Sequence, residues 1–131
     1  MDSLEFKKIS CFKDPRGVLG VLEMKDYVDW PVKRVYYVTD VTADRGGHAV
    51  RHEKKIYICL KGSILARFHD GHGWSEHQMR GPDDAIVLSK MLYREFVNFS
   101  KDAVLLAISS VNYNPDDYIY DLEEYINEVN K

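Results

Sequence analysis

The segment "ILARFHDGHGWSEHQM", Ile64–Met79, decides the class of this fold. Two runs that include apolar and aromatic residues flank the dipeptide Asp70-Gly71. Asp-Gly between two such runs is a strong signal for a β-hairpin, because both residues tolerate the backbone angles of a tight turn. The segment therefore predicts two antiparallel strands joined by a short loop.

Short strand-like runs separated by turn residues continue on both sides of this hairpin. Upstream, "VLGVLEM" follows the turn sequence "DPRG", and then come "VKRVYYVTDV" and "IYICL". Downstream, "AIVLS" follows "GPDD", and "REFVNFS" and "AVLLAISS" come next. Proline at the second and glycine at the fourth position of "DPRG" fit a β-turn. Strands at this spacing predict an all-β domain, built as an antiparallel sandwich or a small barrel.

The segment at residues 114–131 has a different pattern. It begins with Asn-Pro and has acidic residues directly afterwards. Its apolar side chains recur at the spacing of one helix face, namely at Tyr118, Leu122, Tyr125, Ile126 and Val129. This pattern predicts one C-terminal α-helix that packs on the β domain or on a partner subunit.

The composition fits one globular domain spanning residues 1–131. With 45% hydrophobic and 30% charged residues, the chain can bury a core and is not disordered. The net charge of −3 and the lack of a basic run exclude a nucleic-acid partner, because a polyanion requires a cationic surface. The composition does not exclude a small anionic ligand held by a few arginines.

Cys11 and Cys59 lie in apolar, strand-like contexts, and we expect both to be free thiols in a reducing compartment. The start "MDSLEFKK" carries no apolar signal region, and no apolar run approaches membrane-spanning length. We therefore expect a soluble cytoplasmic protein with no membrane partner.

The segment "DRGGHAVRHEKK", residues 44–55, carries two histidines four residues apart. In a strand, residues at this separation lie roughly 13 Å apart, so His48 and His52 share a metal only if a turn folds them together. A protein metal site also needs three or four ligands, and no second cluster supplies the rest. The sequence therefore predicts no metal site here. The histidines of the hairpin region, His69, His72 and His77, are expected in a solvated turn and an edge strand.

His48 follows two glycines, which allow the backbone to approach a ligand closely. Together with Arg45 and the "KRVYYVTD" strand, it forms a set of His, Arg and Tyr that could move a proton beside a carbonyl of an anionic substrate. The residues alone leave a second interpretation open, in which His48 is a hydrogen-bonded histidine inside a barrel.

Several motifs, in order, resemble one known family. "KRVYYVTDV", "RGGHA", "IYICLKGS", "NFS", "AVLLAISS" and "DDYI" together resemble the dTDP-4-oxo-6-deoxyglucose 3,4-ketoisomerases, which are small cupin-fold enzymes of deoxysugar biosynthesis. The resemblance covers nearly the whole chain. It implies a jelly-roll barrel, a dTDP-sugar substrate in its mouth, no metal or other cofactor, and a homodimer that exchanges an N-terminal strand.

The family motif reads Arg-Gly-aromatic-His-Ala-His, whereas residues 45–50 read "RGGHAV". The first histidine is present as His48, and Val50 replaces the second. Because alternate residues of a strand share a face, both are expected to point into the barrel. For a ketone shift from C4 to C3, the resemblance implies His48 as the base and Tyr37 as the hydrogen-bond donor. Only one of the neighbours Tyr36 and Tyr37 can face the pocket, because adjacent strand residues alternate, and the resemblance favours Tyr37. His52 is a substitute for the missing histidine if a turn returns it to the pocket.

The resemblance also implies a set of substrate-binding cations. Arg34 and Arg45 would hold the diphosphate, because a planar guanidinium suits phosphate oxygens. Arg94 falls near the sugar, and Lys55 or its neighbour Lys54 would balance negative charge in the pocket. Two alternatives stay open. The related 3,5-epimerases share Arg-Gly-any-His without the second histidine, and a cupin could also bind a nucleotide sugar without catalysis.

Overall fold

Over Met1 and residues 3–131, which the computed structural model describes, the chain forms twelve β-strands and one α-helix. The first six strands are β1 Leu4–Lys8, β2 Ser10–Asp14, β3 Gly17–Val21, β4 Arg34–Val38, β5 Arg45–Val50 and β6 Lys55–Lys61. The remaining strands are β7 Ser63–His69, β8 Trp74–Arg80, β9 Asp84–Leu88, β10 Tyr93–Val97, β11 Val104–Ser109 and β12 Tyr118–Ile119. The helix α1 spans Leu122–Val129, and two single 3₁₀ turns lie at Met24–Asp26 and Pro115–Asp117.

The strands form two five-stranded antiparallel sheets that face each other. The first sheet has the order β1-β9-β6-β11-β4, and the second has the order β12-β5-β10-β7-β8. Within the described residues no strand pair joins the two sheets, so the barrel is not closed. The predicted all-β class with a C-terminal helix is confirmed. Strands β2 and β3 form a separate hairpin that belongs to neither sheet.

The hairpin predicted from Ile64–Met79 is present as β7 and β8. His69 pairs with Trp74 at its closed end. The Asp70 carboxylate accepts hydrogen bonds from the backbone N–H groups of His72 (2.8 Å) and Gly73 (3.0 Å), which holds the loop in its turn. The expectation of a solvated turn holds for His72, which is exposed, but is wrong for His69. His69 is buried because Trp74 and Tyr125 pack edge-on against its ring.

The main core lies between the two sheets. Alternate residues of β6, β7 and β11 point into this space, among them Tyr57, Cys59, Ile64, Phe68 and Leu105. The opposite face of the first sheet is also covered. Its side chains pack beneath the segment between β3 and β4, which contributes Leu22, Met24, Tyr27 and Trp30. Strand β6 is therefore buried on both faces, which explains its continuous apolar sequence.

The C-terminal segment differs from the prediction at its start. Asn114-Pro115 begins a 3₁₀ turn rather than the helix, and the Asn114 side chain accepts the N–H of Asp116 at 3.2 Å. Tyr118 then lies in strand β12, paired with Val50 of β5. Placing Tyr118 in the helix is therefore wrong, because its backbone groups bond to β5 instead. The helix itself begins after Asp121, whose carboxylate caps the N–H of Glu123.

The helix packs against the outer face of β5. Ala49, Ile119 and Tyr125 are buried together there, and the Tyr125 hydroxyl donates to the Met91 carbonyl oxygen at 3.0 Å. Since neighbouring strand residues alternate, burial of Ala49 under the helix directs His48 and Val50 to the inner face. Among the helical segments of the described chain, none has the length and apolarity needed to span a bilayer.

Candidate active site

His48 lies on β5 at a point where this strand approaches β10 very closely. Gly46 and Gly47 have φ values of +86° and +77°, in the left-handed region that favours glycine. A Cβ atom built on Gly46 would lie 2.9 Å from the Arg94 carbonyl oxygen, which is closer than real Cβ contacts. The ladder between the two strands is irregular at Arg94/Glu95. Glycine at position 46 therefore allows the approach that places His48 beside Arg94.

The His48 side chain is largely enclosed, and its Nε2 atom has no hydrogen-bond partner within the described chain. The Tyr118 ring packs against it, with 5.0 Å between ring centroids. Burial, and then the positive charges of Arg94 and Lys55, lower the pKa of His48 to about 4. The imidazole is therefore neutral at physiological pH, with a nitrogen able to accept a proton.

Three charged side chains are buried beside His48. Glu53 accepts a hydrogen bond from Arg94 Nη1 at 3.3 Å, and its other oxygen lies 3.3 Å from Lys55 Nζ. The Ser109 hydroxyl donates to the same carboxylate at 2.7 Å. Burial alone raises the pKa of the Glu53 carboxyl, but Lys55 and Arg94 bring it below its ordinary value. Two cations and one anion leave a net positive charge in this interior.

Lys55 is fully buried, and its Nζ atom donates to the Tyr36 hydroxyl at 2.6 Å. Burial, followed by the nearby charge of Arg94, lowers the pKa of Lys55 to about 7. Burial also raises the pKa of Tyr36, which keeps its hydroxyl protonated. This pair is thus a hydroxyl in contact with an ammonium group that titrates near neutrality.

Lys55 and Arg94 are buried next to His48 and Tyr36, which line a pocket between the two sheets. Its lining residues are Tyr36, Val38, Arg45, Gly46, His48, Tyr57, Phe96 and Leu105. His48 comes from the second sheet and Tyr36 from the first, so a ligand between them is contacted from both walls. A neutral base, a tyrosine hydroxyl and an excess of positive charge are the groups required to remove a proton beside a carbonyl and to hold the resulting oxyanion.

The predicted pocket position of Tyr37 is wrong. Strand β4 directs Arg34, Tyr36 and Val38 inward, whereas the Tyr37 side chain is 70% exposed on the outer face. Adjacent strand residues point to opposite faces, so only one of the two tyrosines can reach the pocket. Tyr36 is that residue.

The predicted return of His52 to the pocket is also wrong. A turn does follow Val50, but His52 is exposed there with φ +64°, and it does not line the pocket. The buried side chain that the turn brings in is Glu53. Within the described part of the chain, no three His, Cys, Asp or Glu side chains gather where they could hold a metal ion.

The four predicted substrate-binding cations lie at different depths. Lys55 and Arg94 are completely buried, and Lys54 is exposed on the opposite side of the chain from Lys55. Arg45 is exposed and lines the pocket mouth. Arg34 is half-buried and donates from Nη1 to the Tyr118 hydroxyl at 3.3 Å. The structure thus brings all four cations to one region, and their role toward phosphate stays a prediction.

Glu53 and Tyr118 were missed from the sequence, and Tyr36 was considered there only as the alternative to Tyr37. A usable signal existed for only part of this set. Lys55 alternates with Tyr57 and Cys59 along β6, so all three side chains point to the same face. A lysine on that buried face requires a buried acidic partner. Glu53 lies two residues earlier in the same segment. Tyr118 had no such signal, because its position depends on the short strand β12.

Comparison with known proteins agrees with this geometry. The family model described as "FdtA: WxcM-like, C-terminal" matches residues 2–130. The chain belongs to the FdtA family. A curated relative is the TDP-4-oxo-6-deoxy-alpha-D-glucose-3,4-oxoisomerase of Aneurinibacillus thermoaerophilus, which is 32% identical over 132 residues. That alignment covers 97% of this chain and 93% of the relative. The resemblance to sugar 3,4-ketoisomerases is thereby confirmed.

Solved structures of FdtA-like enzymes superpose closely on this chain. A 3,4-ketoisomerase from Helicobacter canadensis has a TM-score of 0.90 at 30% identity and covers 98% of both chains. A histidine-to-asparagine variant of the 3,4-ketoisomerase QdtA from Thermoanaerobacterium thermosaccharolyticum, in complex with TDP-4-keto-6-deoxyglucose, has a TM-score of 0.91 at 27% identity. It covers 98% of this chain and 95% of that one.

Proposed function

We propose that this protein is a sugar-nucleotide 3,4-ketoisomerase acting on a dTDP-linked 4-oxo-6-deoxyhexose. The main support is His48, a neutral histidine that lines the pocket and whose Nε2 atom has no hydrogen-bond partner within the described residues, with buried cations beside it. Relatives that share the fold over nearly the whole chain act on this substrate class.

The proposed chemistry begins with proton removal at C3 by His48 Nε2. The negative charge then moves through the C3–C4 bond onto the C4 oxygen, giving an enediolate. The buried cations Lys55 and Arg94 stabilise this charge, because solvent screens the charge of a buried side chain only weakly. The same cations keep the pKa of His48 low in the free protein, and the negative charge of the enediolate offsets this effect.

The diphosphate of the dTDP-sugar would lie at Arg34 and Arg45. Arg45 is exposed at the pocket mouth, where a charged group can be reached from solvent. Arg34 stacks on Tyr36 and Tyr113, with its guanidinium carbon 4.6 and 5.2 Å from the two ring centroids. Stacking fixes the guanidinium plane, and the N–H groups that do not bond to Tyr118 can donate to phosphate oxygens.

We also infer a homodimer formed through the β2–β3 hairpin. The hairpin stands apart from both sheets, and Phe12 and Leu19 are 62% and 63% exposed. These two residues are cross-strand partners, so they form one apolar face. An isolated two-stranded hairpin is only marginally stable in water. A second copy of this chain would cover that face and stabilise the hairpin.

A cytoplasmic location goes with this function. Cys11 and Cys59 are free thiols, and a reducing compartment keeps thiols in that state.

Proton NMR of dTDP-4-oxo-6-deoxyglucose in deuterated water tests the activity. A ketoisomerase forms a 3-oxo sugar with deuterium at C4. An epimerase instead exchanges C3 or C5 and leaves the ketone at C4, and a binding-only cupin causes no exchange above the enzyme-free rate. Either of these last two results would overturn the proposed activity.

A further inference from the structure

Glu53 is a buried carboxylate that the proposed chemistry leaves without a role. It lies in the short segment between β5 and β6, and its side chain is 1% exposed. A buried ion is costly unless paired groups offset its lost hydration. Glu53 is not among the residues that line the pocket. Any effect of Glu53 on the reaction therefore passes through the groups that it holds.

The two oxygens of Glu53 hold groups from opposite walls of the site. Oε1 accepts a hydrogen bond from Nη1 of Arg94 on β10 at 3.3 Å. Oε2 accepts from the hydroxyl of Ser109 on β11 at 2.7 Å and lies 3.3 Å from Nζ of Lys55 on β6. Strand β10 belongs to the second sheet, whereas β6 and β11 belong to the first. Since no strand pair of the described chain joins these sheets, the carboxylate is a polar link between them.

The two cations differ in how they respond to this carboxylate. An arginine keeps its proton in a protein interior, whereas a buried lysine readily loses its own. Burial and the charge of Arg94 lower the pKa of Lys55 and Glu53 raises it, which gives a value of about 7. The charged and titratable groups around Lys55 are Glu53, Arg94, Tyr36, Tyr57, Arg34 and His48. Glu53 is the one carboxylate in this set, so the charge of Lys55 at neutral pH depends on it.

Lys55 and Arg94 carry this influence to the pocket. The Lys55 ammonium donates to the hydroxyl of Tyr36 at 2.6 Å. Arg94 is the register partner of His48 on the neighbouring strand. Both Tyr36 and His48 line the pocket. Resting on the proposed function, we propose that Glu53 is a positioning residue, which keeps Lys55 as an ammonium ion and holds it together with Arg94 across the two sheets. A neutral Lys55 would leave the enediolate with one buried cation fewer, so the rate of ketone transfer depends on Glu53.

Glu53→Gln tests this role, because the amide keeps the shape of the carboxylate but has no charge and only one acceptor oxygen. Loss of an opposite charge at this distance should lower the pKa of Lys55 by about 1–3 units. Formation of the 3-oxo product at pH 7, measured by NMR, should therefore fall by about tenfold or more. It should recover by about tenfold or more when the pH is lowered to 5.5, whereas wild-type formation should rise only about twofold. His48, with a pKa of about 4, is neutral throughout this range.

The charge of Lys55 can be measured independently of the reaction. In protein labelled with carbon-13 at the lysine Cε atoms, the signal that disappears in Lys55→Met belongs to Lys55, and its pH titration gives the midpoint. We expect a midpoint near pH 7 in the wild type and a lower midpoint in Glu53→Gln. Glu53→Asp withdraws the negative charge by one methylene, so the midpoint and the pH profile of the rate should both move down by a smaller amount. Glu76→Gln is the matched control, because it breaks an exposed pair with Arg67, and it should change neither quantity.

The outcomes separate this inference from the proposed function. If the wild type forms no 3-oxo product, the proposed function falls and the positioning role falls with it. If the product forms but Glu53→Gln lowers the rate equally at every pH and leaves the Lys55 midpoint unchanged, Glu53 is only a structural link, and this inference alone is overturned. Should Glu53→Gln fail to fold, Glu53→Asp decides, and an unchanged midpoint and pH profile in that variant would overturn the inference.

Discussion

Arg94 is the register partner of His48 on the neighbouring strand, and both side chains point into the space between the sheets. Arg94 is completely buried, and its Nε and Nη2 atoms have no hydrogen-bond partner within the described chain. Unpaired donors of a buried cation are costly unless another group satisfies them. Arg94 is also a neighbour whose positive charge, after burial, lowers the pKa of His48.

The first prediction concerns the base. His48→Asn should lower the rate of ketone transfer by about 10²–10⁴-fold, because a general base is removed while a side chain of similar shape stays. C3 exchange in deuterated water should be lost in parallel. His52→Asn is the control and should keep wild-type rates, since His52 is exposed outside the pocket. An active His48→Asn enzyme would show that another group removes the proton.

The second prediction concerns the buried carboxylate. Glu53→Ala leaves Lys55 and Arg94 without their anion and should lower the free energy of unfolding by about 3–5 kcal/mol. The measurement is urea denaturation at pH 7. Glu128→Ala is the matched control, because it breaks the partly exposed Arg51–Glu128 pair and should cost at most about 1 kcal/mol. Equal losses in the two variants would argue against a buried charge cluster.

The third prediction follows from the pKa of His48. The folded value of about 4 lies below the unfolded value of 6.5, so the unfolded chain binds more protons between these two values. The free energy of unfolding contributed by His48 therefore rises with pH and falls on acidification, by about 2 kcal/mol between pH 6.5 and 4.5. Urea denaturation at both pH values measures it. His48→Asn should lose this part of the pH dependence, and an unchanged difference would contradict the low pKa.

The fourth prediction concerns the close approach of β5 and β10. Gly46→Ala places a Cβ against the Arg94 carbonyl and forces a non-glycine residue to φ +86°, so it should destabilise the fold by roughly 1–3 kcal/mol. Gly73→Ala is the control, because nothing lies within 4 Å of its added Cβ. Thermal unfolding of both variants compares them. A shift in Tm for Gly73→Ala as large as that for Gly46→Ala would contradict this account.

The fifth prediction concerns the dimer. Light scattering of the wild type should give twice the 15.2 kDa of one chain. Phe12→Ser combined with Leu19→Ser removes the apolar face of the hairpin and should shift the mass toward one chain. Lys13→Ser, at the next residue of the same strand, should leave the mass unchanged. A monomeric wild type at micromolar concentration would exclude the proposed interface.

The sequence predicted the strands correctly where short apolar runs alternate regularly with turn residues. The β7–β8 hairpin and the all-β class followed from local signals, namely Asp-Gly and regularly spaced apolar runs. These signals could not predict which side chains of β4 point inward. Val35 and Tyr37 form the more apolar face of this strand, yet they point outward, whereas Tyr36 points inward, where it lines the pocket and bonds to the buried Lys55. A functional site thus reversed the usual relation between hydrophobicity and burial.

Glu53 shows a different limit of sequence analysis. Its burial depends on Arg94 and Ser109, which lie 41 and 56 residues away along the chain. No local pattern can report such a partner. The family resemblance singled out His48, which lines the pocket, but a motif of a few residues carries no information about which side chains form the opposite wall.

Strand β12 pairs with β5 from a position almost seventy residues later in the sequence. The Arg51 N–H also bonds to the Asp117 carbonyl oxygen at 2.9 Å, so the strand that carries His48 depends on late residues for its outer edge. The outer edge of the strand that carries His48 is therefore closed by a segment synthesised long after β5 and its neighbour β10.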